Sequence, residues 1–175
     1  MQGFSPYSTT LDVTLSTTIV PGESYSFRVR AANIHGFGEF SDTVVIKAAG
    51  IADQVLTVVT SIDSVTGGVI IDWVAPHDGS ESITEYLIEI ANTDDETFFE
   101  DTTDCGGSDA SVTTCTVPMD TLTQSPFNLA FNQLVLARVS AINTYGSSTP
   151  STVNTIGARV RRVPDKMDAV TVSTL

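Results

Sequence analysis

Part of this chain occurs twice, and that repetition restricts its fold more than any other feature. RVRAANIHGFGEFSDTV at 28–44 returns as RVSAINTYGSSTPSTVN at 138–154. Arg28, Ala31, Asn33, Gly36 and Ser41 reappear as Arg138, Ala141, Asn143, Gly146 and Ser151, each pair 110 positions apart. A second echo links ADQVLTVVTS at 52–61 with PDKMDAVTVST at 164–174, at an offset near 112. Self-similarity at a fixed offset marks a repeated structural unit. The phase then divides the 175 residues into the C-terminal part of one module at 1–50, a complete module at 51–163, and the first strand of a following module at 164–175.

The local pattern within each copy is that of strands. YSFRVRA at 25–31 sets Tyr25, Phe27, Val29 and Ala31 on one face and Arg28 and Arg30 on the other. VIIDWV at 69–74 aligns Val69, Ile71 and Trp73, and YLIEI at 86–90 aligns Tyr86, Ile88 and Ile90. A period of two with a polar opposite face describes half-buried strands. Short strands separated by Gly, Pro, Asn and Asp predict an all-β sandwich. The three strands before residue 50 cannot close a two-layer core alone. Either the sequence is a window on a longer tandem array, or broken modules complete each other between chains by strand donation.

Charge excludes one class of partner. The chain has 8 Lys and Arg against 21 Asp and Glu, and between Lys47 and Arg138 there are fifteen acids and no base. Nucleic-acid binding rests on basic groups that displace phosphate counterions, so it is not expected. No apolar run approaches the length of a membrane span, and MQGFSP lacks the pattern of a signal peptide.

The residues resemble fibronectin type III modules over most of 51–163 and over the later half of a preceding module. The resemblance rests on Trp73 in VIIDWVAP, then Pro76, Asp78, Gly79, Ile83, Thr84 and Tyr86 in PHDGSESITEYLIEI. It also rests on the sixth-strand phrase Tyr25, Phe27, Val29, Ala31, Asn33 and Gly36. In the later copy Val135 and Ala137 replace the Tyr and Phe, while Val139, Ala141, Asn143 and Gly146 remain. Trp73, Tyr86, Tyr25, Asn33 and Asn143 are therefore expected as core signature residues. The resemblance implies an immunoglobulin-like Greek-key sandwich. Strands 55–61, 67–74 and 112–118 would form one sheet, and 84–91, 96–101, 133–142 and 150–158 the other. The phrase PMDTLTQSPFNLAFNQLVLARV further resembles modules of long repeat proteins on the surfaces of ciliates and other protists.

Cys105 and Cys115 flank a flexible polar loop near the entry to the fifth strand, where a hairpin can join them. A disulfide would imply an oxidising, extracytoplasmic location; the other reading is two separate thiols. The stretch 92–109 collects acids without a base. It is read either as a solvated loop or as a weak calcium site drawing on Asp94, Asp95, Glu96, Asp101 and Asp104. No other cofactor is expected. His35 and His77 are read as loop residues, and Glu85 and Glu89 as solvent-face residues beside a strand. Leu134, Leu136 and Ile142 place apolar groups on the outer face of the sixth strand. They await either lateral contact or cover from Phe127 or Phe131 in the 119–132 connection.

No nucleophile stands with an activating base and an orienting group, so an enzyme is not expected. The expected function is a structural or adhesive segment of an extracellular or cell-surface tandem-repeat protein, part of a surface fibre or filament. Its partners would be copies of itself or neighbouring repeats. The alternative is a carbohydrate- or protein-binding accessory module of a receptor or secreted enzyme. Such a module would use loops 76–83 and 143–149 to take glycans or surface proteins.

Overall fold

The structure is a computed structural model in which residues 18–162 and Met167 are described. The expected opening strand at 164–175 lies outside the described residues except for Met167. The chain separates into two compact units, residues 1–49 and 50–175.

In the first unit, the period-two pattern yields β1 (Ser24–Phe27), β2 (Ala32–Asn33), β3 (Gly36–Phe37) and β4 (Val44–Lys47). β1 pairs antiparallel with β4, setting Tyr25 opposite Ile46 and Phe27 opposite Val44. β2 and β3 form a tight hairpin turned by Gly36, whose φ of +131° strains any residue with a side chain. Only Tyr25 and Phe27 on β1 are half-buried, while Val29, Val44 and Ile46 are exposed.

The second unit is an all-β, fibronectin type III-like sandwich. β5 (Val58–Ile62), β6 (Val69–Trp73) and β9 (Thr114–Val117) form one sheet in the order β5-β6-β9. β7 (Glu85–Ala91), β8 (Phe98–Glu100), β10 (Ala137–Asn143) and β11 (Gly146–Ser147) form the other, ordered β11-β10-β7-β8. Val69, Ile71 and Trp73 from the first sheet meet Tyr86, Ile88, Ile90 and Val139 from the second in one buried cluster. Trp73 and Tyr86 pack edge to face with ring centroids 5.2 Å apart, an arrangement that adds to their area burial. The connection after β9 contains the short α1 (Met119–Thr123) and sends Leu122, Phe127 and Leu129 into the same core.

The strand expected at 150–158 forms no regular ladder. Ser148, Ser151 and Asn154 instead present side-chain oxygens to the N–H groups of Ala141, Val139 and Ala137, at 3.0, 3.0 and 2.8 Å. The segment advances three residues for every two on β10, so side chains replace the main-chain acceptors that a strand in register would offer. The earlier copy does the same: Val29 N–H reaches Ser41 Oγ at 3.0 Å, and Ser41 N–H returns to the Val29 carbonyl at 2.7 Å. Buried Asn154 also donates to Thr60 Oγ1 and to the Val135 carbonyl, tying β5 to the second sheet. A Cβ on Gly157 would stand 2.2 Å from that Thr60 oxygen, so a side chain there would break the join.

Candidate functional site

Asn143 ends β10 and organises one end of the second unit. Its Nδ2 donates to the carbonyls of Gly50, Asp78 and Glu81 at 2.8, 3.0 and 3.3 Å, and its Oδ1 accepts from Tyr145 N–H at 2.9 Å. Loop 76–83 folds toward it because Asp78 accepts from Ser80 N–H and His77 Nδ1 accepts from Gly79 N–H. Gly79 has φ +70°, and a Cβ there would lie 2.3 Å from the Ile51 carbonyl oxygen. The two loops named for ligand binding are therefore one rim, with Tyr145 exposed beside it. His77 serves that turn, and exposed His35 donates its own N–H to Asn33 Oδ1 at 2.8 Å. Among the expected signature residues, Trp73, Tyr86 and Asn143 are buried, Tyr25 is half-buried, and Asn33 is exposed.

Cys105 and Cys115 form a disulfide, with Cα atoms 5.4 Å apart. Cys115 lies on β9 opposite Ile71, while Cys105 lies in the segment that leaves β8. That segment is held on the second sheet by Tyr86 N–H donating to the Gly107 carbonyl at 2.8 Å. Gly107 is needed there, because a Cβ would fall 1.9 Å from the Tyr86 oxygen. The bridge thus staples one sheet's edge to a loop bound on the other.

The structure does not gather the five residues suggested for calcium. Among the described residues, no group of three or more His, Cys, Asp and Glu stands where it could hold a metal ion. Each of four carboxylates has a local task instead. Asp94 caps its own turn, accepting from Glu96 N–H, Thr97 N–H and Thr97 Oγ1. These bonds hold its carboxyl below the usual aspartate range, with the Thr97 N–H the largest cause. Asp95 takes Gln133, Asp104 takes the Thr121 hydroxyl, and buried Asp101 accepts the N–H groups of Thr103 and Asp104. Glu96 is exposed.

The outer face of β10 differs from its expected form. Leu134, Leu136 and Ile142 are half-buried rather than open. Cover does not come from the residues expected to supply it: Phe127 is in the core, and Phe131 is 61% exposed beneath Arg162. At the centre of the face, Arg138 grips Glu89 of β7 through Nε and an NH2 group, both at 2.8 Å, and lies 4.1 Å over the Phe98 ring. The bond to Glu89 raises the Arg138 pKa further. Pattern reading placed both residues on the wet face but could not pair them, since the cross-strand register joining Arg138 to Glu89 is not a local property.

Among the described residues, the repeated Arg28 has no such carboxylate. It stacks 3.9 Å over Phe40, and Arg30 lies 3.9 Å over Phe37 and 4.7 Å from Phe40. Both arginines are exposed. A guanidinium stacked by its face keeps its edge N–H donors free for an anion.

No family model matches the chain. It is 38% identical over 74 residues to human fibronectin type-III domain-containing protein 3A, covering 42% of this chain and 6% of that protein. The mouse protein of the same name is also 38% identical, over 73 residues. A solution structure of the sixth fibronectin type III domain from human fibronectin type III domain containing protein 3 is 17% identical. It has a TM-score of 0.46 and covers 66% of this chain and 93% of that one. A crystal structure of domains from titin is 23% identical, with a TM-score of 0.46 and 80% and 43% coverage. These relatives are not ciliate or protist proteins, and the expected likeness to such surface repeats draws no support from them. The chain spans about 6% of the length of the curated relatives it matches, and over that stretch it shows homology to a fibronectin type III domain-containing protein.

Proposed function

We propose that this chain is a non-catalytic structural or adhesive segment of an extracellular tandem-repeat protein, built into a surface fibre or filament. The observation that carries the reading is repetition at the level of individual hydrogen bonds. The Ser41–Val29 exchange is the Ser151–Val139 exchange, and Gly38 N–H to Ala31 is Ser148 N–H to Ala141. The Asn33–His35 bond is likewise the Asn143–Tyr145 bond. One design is used twice in the chain. The disulfide favours an oxidising compartment. Electron microscopy of the protein in its native full-length form tests the reading: beaded, elongated particles are expected, and compact monomeric particles carrying a catalytic domain would sink it.

A second reading, a carbohydrate- or protein-binding module, is favoured by the single rim that Asn143 makes of loops 76–83 and 143–149, with Tyr145 exposed. It predicts a hit on a glycan or surface-protein array that Tyr145→Ala abolishes.

A further inference from the structure

We propose that the Cys105–Cys115 bridge is a redox-sensitive latch. An external dithiol cleaves it in the folded module, and residues 102–112 then leave the sandwich, uncovering Trp73 and the main chain of β7 at Tyr86. The proposal holds under either functional reading above.

Residues 102–112 are fastened at few points. The segment crosses from the end of β8 in one sheet to the start of β9 in the other, and of its residues only Cys105 is buried. Cys105 is also its one member of the buried apolar cluster, with Ala110 packed against the outside. Most of its hydrogen bonds are local. Asp101 Oδ1 accepts from the N–H groups of Thr103 and Asp104, and Asp109 Oδ1 accepts from the N–H and the hydroxyl of Ser111. Among the described residues, two hydrogen bonds join 102–112 to the sandwich. Tyr86 N–H donates to the Gly107 carbonyl at 2.8 Å, and Thr121 Oγ1 donates to Asp104 Oδ2 at 2.9 Å. A segment with little buried apolar surface and few bonds to its surroundings opens locally, without global unfolding. The cluster that holds Val69, Ile71, Ile88, Ile90 and Val139 takes nothing but Cys105 from it. Cutting the bridge therefore removes the staple and spares the core.

The bridge is also reachable. Both cysteines line a cavity of about 200 Å³, together with Trp73, Asp104, Gly107 and Val112. Cys115 is half-buried, whereas Cys105 is 2% exposed, so Cys115 Sγ is the sulfur open to attack. A thiolate of the dithiol bonds to Cys115 Sγ, and the Cys105 sulfur leaves with the electron pair and takes up a proton. The second thiolate of the dithiol then displaces Cys115 Sγ and closes a disulfide within the reductant. Two electrons have passed from the dithiol to the bridge, which becomes two thiols. On release Gly107 withdraws from its close seat on the Tyr86 oxygen, and Tyr86 N–H loses its acceptor. Trp73, 6% exposed in the closed form, loses the wall that 104–112 supplies.

Dithiothreitol added to the native 175-residue protein without denaturant tests this, read by amide exchange and by fluorescence of the single tryptophan. Reduction should cleave the bridge, speed exchange at Tyr86 N–H by about tenfold or more, and raise acrylamide quenching of Trp73 by about twofold or more. Exchange at Ala91 N–H, which is bonded to the Leu136 carbonyl between β7 and β10, should not change. Cys105→Ala with Cys115→Ala should show the released behaviour with no reductant present. Four results would each overturn the proposal. They are a bridge that resists dithiothreitol until denaturant is added, reduction that leaves Tyr86 and Trp73 as they were, a double variant that behaves like the oxidised protein, and equal acceleration at Ala91, which would mean that the whole sandwich had opened.

Discussion

The segment bearing Arg28 and the strand bearing Arg138 share a spaced set of residues and have different surroundings. On β10 every inward residue is sealed, Asn143 grips three carbonyls and Arg138 holds Glu89. On the earlier copy Val29 is exposed, Asn33 holds only the N–H of His35, and Arg28 rests on a phenyl ring. The local hydrogen bonds survive in both copies, so they belong to the strand and its following turn. The burial and the ion pair come from β5 to β9, the part that the first unit does not show among its described residues. Motif and environment can therefore be varied separately within one molecule.

The widest separation between the copies should appear in the core. Trp73→Ala removes an edge-to-face partner of Tyr86 from a sealed cluster and should cost about 3–5 kcal/mol. Val29→Ala should leave the main urea transition where it is. If both variants moved that transition equally, the two units would be one cooperative core and the contrast would fail. Next comes the amide clamp. Asn143→Ala orphans carbonyls that it now satisfies and should lower stability by about 2 kcal/mol, while Asn33→Ala should change the same transition negligibly. Amide exchange at the N–H of Tyr145 should accelerate only in the first of these variants. A smaller effect is expected at the arginines. The Arg138 and Glu89 side chains are 31% and 15% exposed, so solvent screens the pair, and a double-mutant cycle should return about 1 kcal/mol. No coupling should appear between Arg28 and any acid among the described residues.

The smallest difference is in acid. Asp94 and Asp109 belong to the second unit, and hydrogen bonds lower both pKa values: backbone N–H groups act first on Asp94 and the Ser111 hydroxyl first on Asp109. A depressed folded pKa gives stability that is complete above the unfolded aspartate value and lost as pH falls through the folded one. Thermal scans should therefore show the second unit weakening only below the ordinary aspartate range, with Asp94→Asn reducing the slope. A loss that begins near neutral pH would point to other groups.

Much of this organisation was legible as periodicity. Val69, Ile71 and Trp73 alternate, as do Tyr86, Ile88 and Ile90, and both sets face the core. The repeat offset identified Asn143, whose partners at Gly50 and Asp78 are distant in sequence. The last strand was misread because period-two alternation cannot register Ser148, Ser151 and Asn154 standing in for main-chain acceptors. Their spacing of three, interrupted by Pro150, was the signal available. Thr60 and Asn154 carry no periodic signal, since alternation assigns polar residues to the solvent face, yet here they bond each other in the interior. The calcium reading rested on sequence proximity of carboxylates, which says nothing of convergence, and a turn such as 92–97 consumes its own acid.

The bond from Asn143 to the carbonyl of Gly50 also has a mechanical meaning. Residue 50 begins the second unit, and the side chain that holds it comes from a strand 93 positions later. A pull applied through residue 50 does not meet a free end that can peel away one residue at a time. It is handed at once to β10, in the middle of the four-stranded sheet, and to the loop whose carbonyls share the same amide. Under the proposed tandem-repeat reading, load entering there would be shared by the sheet and the loop rather than by one strand.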